Sequence, residues 1–181
     1  MNYVILDLEA TCWEERNPNK QNEIIEIGAL KIDGNGKQIG EFSEFVKPKL
    51  NPELSEFCKE LTTIEQVDID SADTYEVVIK RFKEWINLNK PYVLCSWGYY
   101  DKNQFAKDCD LHGLDKSWLA SHISLKHQYA EINKLKKSAG MRKALNRERL
   151  GLEGTHHRGI DDARNTAKIF KKYLGQWEFK N

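Results

Sequence analysis

Two carboxylates spaced two apart, Asp7 and Glu9, end the apolar run Tyr3-Val4-Ile5-Leu6. Side chains alternate in an extended strand, so Tyr3, Ile5, Asp7 and Glu9 share one face while Val4, Leu6 and Leu8 share the other. Burying two like charges together is unfavourable unless a cation lies between them, and a divalent metal ion fits that need. Asp101 follows Trp97-Gly98-Tyr99-Tyr100 and opens a helical segment whose column continues to Phe105 and Cys109. It therefore points inward, either as a metal ligand or as a helix N-cap. The segment from His156 to Asn165 offers two pairings five residues apart, His156 with Asp161 or His157 with Asp162. Asp161 shares its helical column with Asn165, Lys168 and Lys172, a solvent-type face, and is expected to cap the helix. Asp162 shares its column with Thr166, Ile169 and Tyr173, beside the apolar stripe of Ala163, Ala167, Phe170 and Leu174. Asp162 is therefore assigned to the site.

The elements around these residues must bring them together. The run before Asp7 is apolar on both faces, which suits a central strand covered on two sides. Segment 11–22 reads as a loop around Asn17-Pro18-Asn19. Strands are expected over Glu23–Ile32 and Lys37–Val46, joined by the hairpin turn Asp33-Gly34-Asn35-Gly36. Short helices are expected at Leu54–Leu61 and Ile64–Val67, and a longer one from Asp73 with Tyr75, Val78, Phe82, Trp85 and Ile86 on one stripe. A fourth strand at Tyr92–Trp97 follows this helical crossover and should run parallel to its neighbour. Further helices are placed over Asp101–His112, Leu125–Lys136, Gly140–Arg149 and Asp161–Leu174. The pattern implies an α/β fold of ribonuclease-H type: an antiparallel meander plus parallel strands in one mixed sheet, with helices on both faces.

The length of 181 residues suits one sizeable core, so residues 1–181 are expected to form a single domain. No run approaches the ~18 apolar residues of a membrane span, and Met1 leads straight into the first strand without a signal-peptide pattern. Cys12, Cys58, Cys95 and Cys109 lack C-x-x-C spacing, which fits reduced thiols and a cytoplasmic location. The zero net charge hides an asymmetry: up to Lys80 there are 8 Lys/Arg against 17 Asp/Glu, and 20 against 11 afterwards. The basic excess gathers from Lys126 to Arg149, including Arg142 and Lys143, where a polyanion would be attracted. The competing reading of that run is a solvated helical face. A zinc site from Cys109-x-x-His112 with His122 and His127 has roughly a finger's reach but lacks a second cysteine.

Asp7-x-Glu9 at a strand end, Asp101 after a strand, and His157 five residues before Asp162 together resemble the DEDDh group of 3′-to-5′ exonucleases in the ribonuclease-H-like superfamily. The wording Leu6-Asp7-Leu8-Glu9-Ala10-Thr11-Cys12-Trp13, Glu23-Ile24-Ile25-Glu26-Ile27-Gly28-Ala29, Phe45-Val46-Lys47-Pro48 and His157-Arg158-Gly159-Ile160-Asp161-Asp162 is similar to the enhanced-RNAi, histone-mRNA and Snipper branch. The resemblance implies two Mg²⁺ or Mn²⁺ ions about 4 Å apart. Asp7, Glu9 and Asp162 would hold the ion that carries the attacking water, Asp7 would bridge to the second, and Asp101 would act mainly through its water shell. His157 would be the general base. The implied substrate is single-stranded RNA or DNA with a free 3′ end. Leu8, Ala10 and Thr11 would contact its terminal nucleotide, Tyr100 would stack on the base, and Arg142 and Lys143 would guide the upstream strand. The alternative is a nucleic-acid-binding or regulatory protein that keeps the fold without turnover.

Overall fold

The structure is a computed structural model that describes residues 1–15 and 20–179; the Asn17-Pro18-Asn19 part of the loop expected over 11–22 lies outside them. The first strand, β1 (Asn2–Ala10), is the middle of a five-stranded sheet in the order β3-β2-β1-β4-β5. The strands β2 (Ile24–Ile32) and β3 (Gln38–Phe45) complete the antiparallel meander. Their turn is closed by the Asp33 carboxylate, which accepts the amides of Asn35 and Lys37, each at 2.9 Å. β4 (Tyr92–Ser96) runs parallel to β1 with Ile5 opposite Cys95. A fifth strand that the sequence reading lacks, β5 (His122–Ser124), lies parallel to β4. Three residues are too few to display a period of two, so pattern alone cannot reveal it.

Helices α1 (Glu56–Thr62), α2 (Gln66–Asp70), α3 (Tyr75–Ile86), α4 (Tyr100–Leu111), α5 (Leu125–Ile132), α6 (Met141–Glu148) and α7 (Gly159–Lys172) follow the expected order with boundaries shifted by a few residues. Alternation along β1 divides the core. Val4, Leu6 and Leu8 pack with Val78, Phe82 and Ile86 of α3 and Phe105 of α4. Ile5 packs with Tyr129 of α5, Leu145 of α6 and Phe170 of α7 on the other side. Both faces are thus covered, as expected for a central strand. Asp7 and Glu9 have the parity of Ile5 and therefore emerge on the side of α7.

Close approach between β2 and the start of α7 fixes where α7 sits. A Cβ on Gly28 would lie 2.1 Å from Gly159 C, and one on Gly159 would lie 3.1 Å from the carbonyl oxygen of Asp7. Only the missing side chains allow this contact. Beside it, Glu26 is 1% exposed and accepts hydrogen bonds from the Gly159 amide at 3.0 Å and Arg158 Nε at 3.1 Å. This latch holds the first turn of α7, with Asp162, over the end of β1. Among the described residues, no helix is long and apolar enough to cross a membrane.

Candidate active site

Asp7 and Glu9 project from β1, and Asp162 projects from the first turn of α7. One carboxylate oxygen from each of the three lies within 4.8 Å of the others. Glu9 and Asp162 are buried while Asp7 keeps some exposure, so the cluster opens outward through Asp7. Asp101 stands in the first turn of α4, 5% exposed, and its Oδ1 accepts the Leu8 amide at 3.2 Å. That bond ties α4 to β1 beside the cluster. The N-cap of α4 is Tyr99, so the N-cap role considered for Asp101 does not apply.

The electrostatics are those of crowded, desolvated acids. Burial, then the charges of Asp101, Glu9, Asp162 and Glu26, push Asp7 well above the usual carboxylate range. Burial, then Glu26, Asp162 and Asp101, raise Glu9 to about 8. Burial raises Asp101 to about 6, opposed by hydrogen bonds from Ser96 and the Leu8 amide. Cations relieve such a cluster, and an all-oxygen donor set suits hard divalent ions.

At the rim, His156 Nδ1 lies 2.9 and 3.0 Å from the two oxygens of Asp162, and the backbone amide of His157 donates to Oδ2 at 3.1 Å. The two imidazoles stack with centroids 3.9 Å apart. His157 adopts φ 66°, a left-handed conformation that turns its ring back beside its neighbour. Burial, then His156, with Arg142 adding to the effect, lowers the His157 pKa against the opposing charge of Asp162. The shift favours the neutral imidazole over the charged one.

The structure brings Asp7, Glu9 and Asp162 together and sets His157 at the edge of Asp162. Asp101 is outside that three-carboxylate group, although its charge is felt by Asp7 and Glu9. Asp161 points away: it pairs with Arg164 at 3.0 Å and accepts the Thr155 amide at 2.9 Å. Its expected capping role is corrected, since the N-cap of α7 is Arg158. Its column is not simply solvent-facing either, because Asn165 is fully buried and exchanges hydrogen bonds with the Glu153 backbone. Leu8 packs into the core, and the Thr11 hydroxyl accepts the Glu23 amide at 3.0 Å. Leu8 is 5% exposed, Thr11 2% and Ala10 7%, so little of these three side chains reaches the surface. Tyr100 is 54% exposed beside Asp101, and Arg142 and Lys143 are exposed on α6. The zinc grouping is not formed. Cys109 meets Tyr75 Oη, His112 meets Glu76, His122 meets Ser96, and His127 meets Ser124.

Sequence reasoning missed Glu26 and left His156 out of the site. A glutamate inside the apolar run Ile24-Ile25-Glu26-Ile27 was the available signal for the first.

Residues 4–170 match the RNase_T family, described as exonucleases. The chain belongs to this exonuclease family. Human 3′-5′ exoribonuclease 1 is 32% identical over 184 residues, covering 94% of this exonuclease-family chain and 51% of the human protein. The Drosophila melanogaster 3′-5′ exonuclease Snipper is 32% identical over 195 residues, covering 95% of the chain and 69% of Snipper. The chain thus spans about half the length of the exoribonuclease 1 relatives it matches. Among solved structures, the nuclease domain of 3′hExo, a DEDDh family member bound to rAMP, matches with TM-score 0.93 at 29% identity, covering 99% of this chain and 96% of that one. These relatives belong to the branch that the motif wording resembles, and the mixed sheet is ribonuclease-H-like.

Proposed function

We propose that this chain is a divalent-metal-dependent 3′-to-5′ exonuclease that hydrolyses single-stranded RNA or DNA, or 3′ overhangs, to 5′-mononucleotides. The observation that carries this reading is the meeting of Asp7, Glu9 and Asp162 at one point with His157 at its edge. Named 3′-5′ exonuclease relatives and the rAMP-bound neighbour support it. Asp7, Glu9 and Asp162 would hold Mg²⁺ or Mn²⁺, with Asp101 reaching them through water. Two such ions, when bound, supply charge neutralisation at the phosphodiester and a more acidic water.

The chain's own residues do the rest. His157 takes a proton from the attacking water, a role its lowered pKa permits near neutral pH. Asp162 orients His157 through the backbone amide and holds His156 by its ring. Tyr100 offers an exposed aromatic face to the terminal base beside the backbone of Leu8, Ala10 and Thr11. Arg142 and Lys143 attract the upstream phosphates. In this reading residues 1–181 act as one exonuclease domain in the cytoplasm.

A single strand labelled near its 3′ end tests the reading with Mg²⁺ or Mn²⁺ present. Wild type is expected to release labelled mononucleotides and Asp7→Ala to release none. A wild type indistinguishable from Asp7→Ala overturns the reading. Parallel RNA, DNA and overhang substrates assign the preference.

A further inference from the structure

The chain carries a second, chemically different donor group at the rim of the carboxylate cluster. One ligand atom from each of His156, His157 and Asp162 lies within 4.8 Å of the others. We propose that these three residues form a binding site for Zn²⁺, and that zinc there holds the nuclease inactive by taking His157 as a ligand. The second half of this statement rests on the exonuclease reading; the first does not.

The donor chemistry separates this group from its neighbour. Asp7, Glu9 and Asp162 offer only oxygens, which hard ions such as Mg²⁺ take. Two imidazoles and one carboxylate match the mixed nitrogen and oxygen set of a three-ligand zinc site with a fourth position open to water. Tetrahedral zinc with bonds near 2.1 Å sets its donor atoms about 3.4 Å apart. His156 Nδ1 already stands 2.9 and 3.0 Å from the Asp162 oxygens, close to that spacing. The backbone supplies the other arm. The left-handed turn at His157 and its amide bond to Asp162 fold the chain so that a ring nitrogen of each histidine comes within 4.8 Å of the same carboxylate, and the stacked rings need only swing apart to converge on one ion.

The site is also reachable. The His156 side chain is 29% exposed, His157 is half-buried, and Asp162 forms the buried floor at 6%. Zinc entry inserts the ion between His156 Nδ1 and Asp162; the neutral ring keeps its one proton, which passes through solvent from Nδ1 to Nε2, and no oxidation state changes. Asp162 belongs to both donor groups, so zinc and the ions on Asp7 and Glu9 draw on the same carboxylate. A His157 nitrogen bonded to zinc has no lone pair left to accept a proton from water.

Equilibrium dialysis of the whole chain against zinc, in excess Mg²⁺, tests the site directly, with the visible absorbance of tetrahedral Co²⁺ as a second readout. Wild type is expected to bind one zinc; His156→Gln should weaken it ~10-fold or more, while Glu9→Gln should change it by less than ~2-fold. His157→Gln carries the same expectation as His156→Gln, should either variant melt below wild type in a thermal scan. Absence of stoichiometric zinc overturns the site. So does the opposite pattern, in which Glu9→Gln loses zinc and both histidine variants keep it, since zinc would then sit among the carboxylates. In the nuclease assay, zinc should inhibit wild type at concentrations that load the site. Loading without inhibition overturns the silencing role and leaves the site standing. A chain without nuclease activity sinks the exonuclease reading alone, because dialysis does not depend on it.

Discussion

Gly28 and Gly159 touch backbone to backbone, and this contact sets the distance from Asp162 to Asp7. A Cβ on Gly28 would meet Gly159 C and Ile160 N, both at 2.1 Å. Neither atom belongs to a flexible side chain, so α7 itself must move to accept one. Gly28→Ala is therefore expected to lose about 1–3 kcal/mol of stability and to weaken Mg²⁺ binding as Asp162 is lifted from the cluster. Urea denaturation with and without Mg²⁺ reads both effects. A Gly28→Ala protein with wild-type stability and metal response would show that α7 accommodates the methyl group.

Glu26 makes the same junction electrostatic. It latches Gly159 and Arg158, and it lies opposite Glu9 across the β1–β2 ladder. Its charge is the largest contribution after burial to the raised pKa of Glu9. Glu26→Gln should bring the Glu9 pKa down from about 8, because one like charge has gone. It should also cost about 2 kcal/mol of stability, from weakened charge-assisted hydrogen bonds to Gly159 and Arg158. Carboxylate-selective NMR titration measures the first effect and urea denaturation the second. An unmoved Glu9 would break the proposed coupling.

The metal-free protein should become less stable as pH rises. Asp101 at about 6 and Glu9 at about 8 both have folded pKa values above the ordinary carboxylate range; together they outweigh His122, which burial lowers to about 4 and which works in the opposite sense, so the folded state binds more protons than the unfolded one. Stability then falls with pH, because the slope has the sign of unfolded minus folded protons. The contribution is fully present below the unfolded values, near pH 4, and is lost as pH rises through 6 to 8. Divalent ions replace those protons, so the stabilisation they give should grow over the same window. Urea midpoints at pH 5 and pH 8, in chelator and in Mg²⁺, check the sign. Equal midpoints in chelator at both pH values would contradict it.

The parts of the site legible in the sequence are those set by local periodicity. Strand alternation puts Asp7 and Glu9 on one side, and helical columns separate Asp162 from Asp161. Both are consequences of covalent geometry over a few residues. What was not legible depends on chain segments far apart. Glu26 meets Arg158 across 132 positions, and β5 exists only because β4 offers it an edge. The column of Asp161 reads as solvent-facing until the 151–157 segment folds back and buries Asn165. The pairing of His156 with Asp162 spans six residues, yet it needs the left-handed turn at His157 that no side-chain pattern announces.

Helix α6 turns Met141, Ala144 and Leu145 inward and leaves Arg142 and Lys143 exposed. The charge of Arg142 is felt at His157, so this face begins beside the site. If both cations neutralise phosphates of a bound single strand, each contributes about 0.7 to the slope of log affinity against log salt. Arg142→Ala/Lys143→Ala should therefore weaken binding and flatten that slope by about 1.4. Binding is measured by fluorescence anisotropy on a labelled oligonucleotide in Ca²⁺ or chelator, at several salt concentrations. A double variant with wild-type affinity and slope would mean that α6 presents an ordinary solvated face, and that the strand leaves the site by another route.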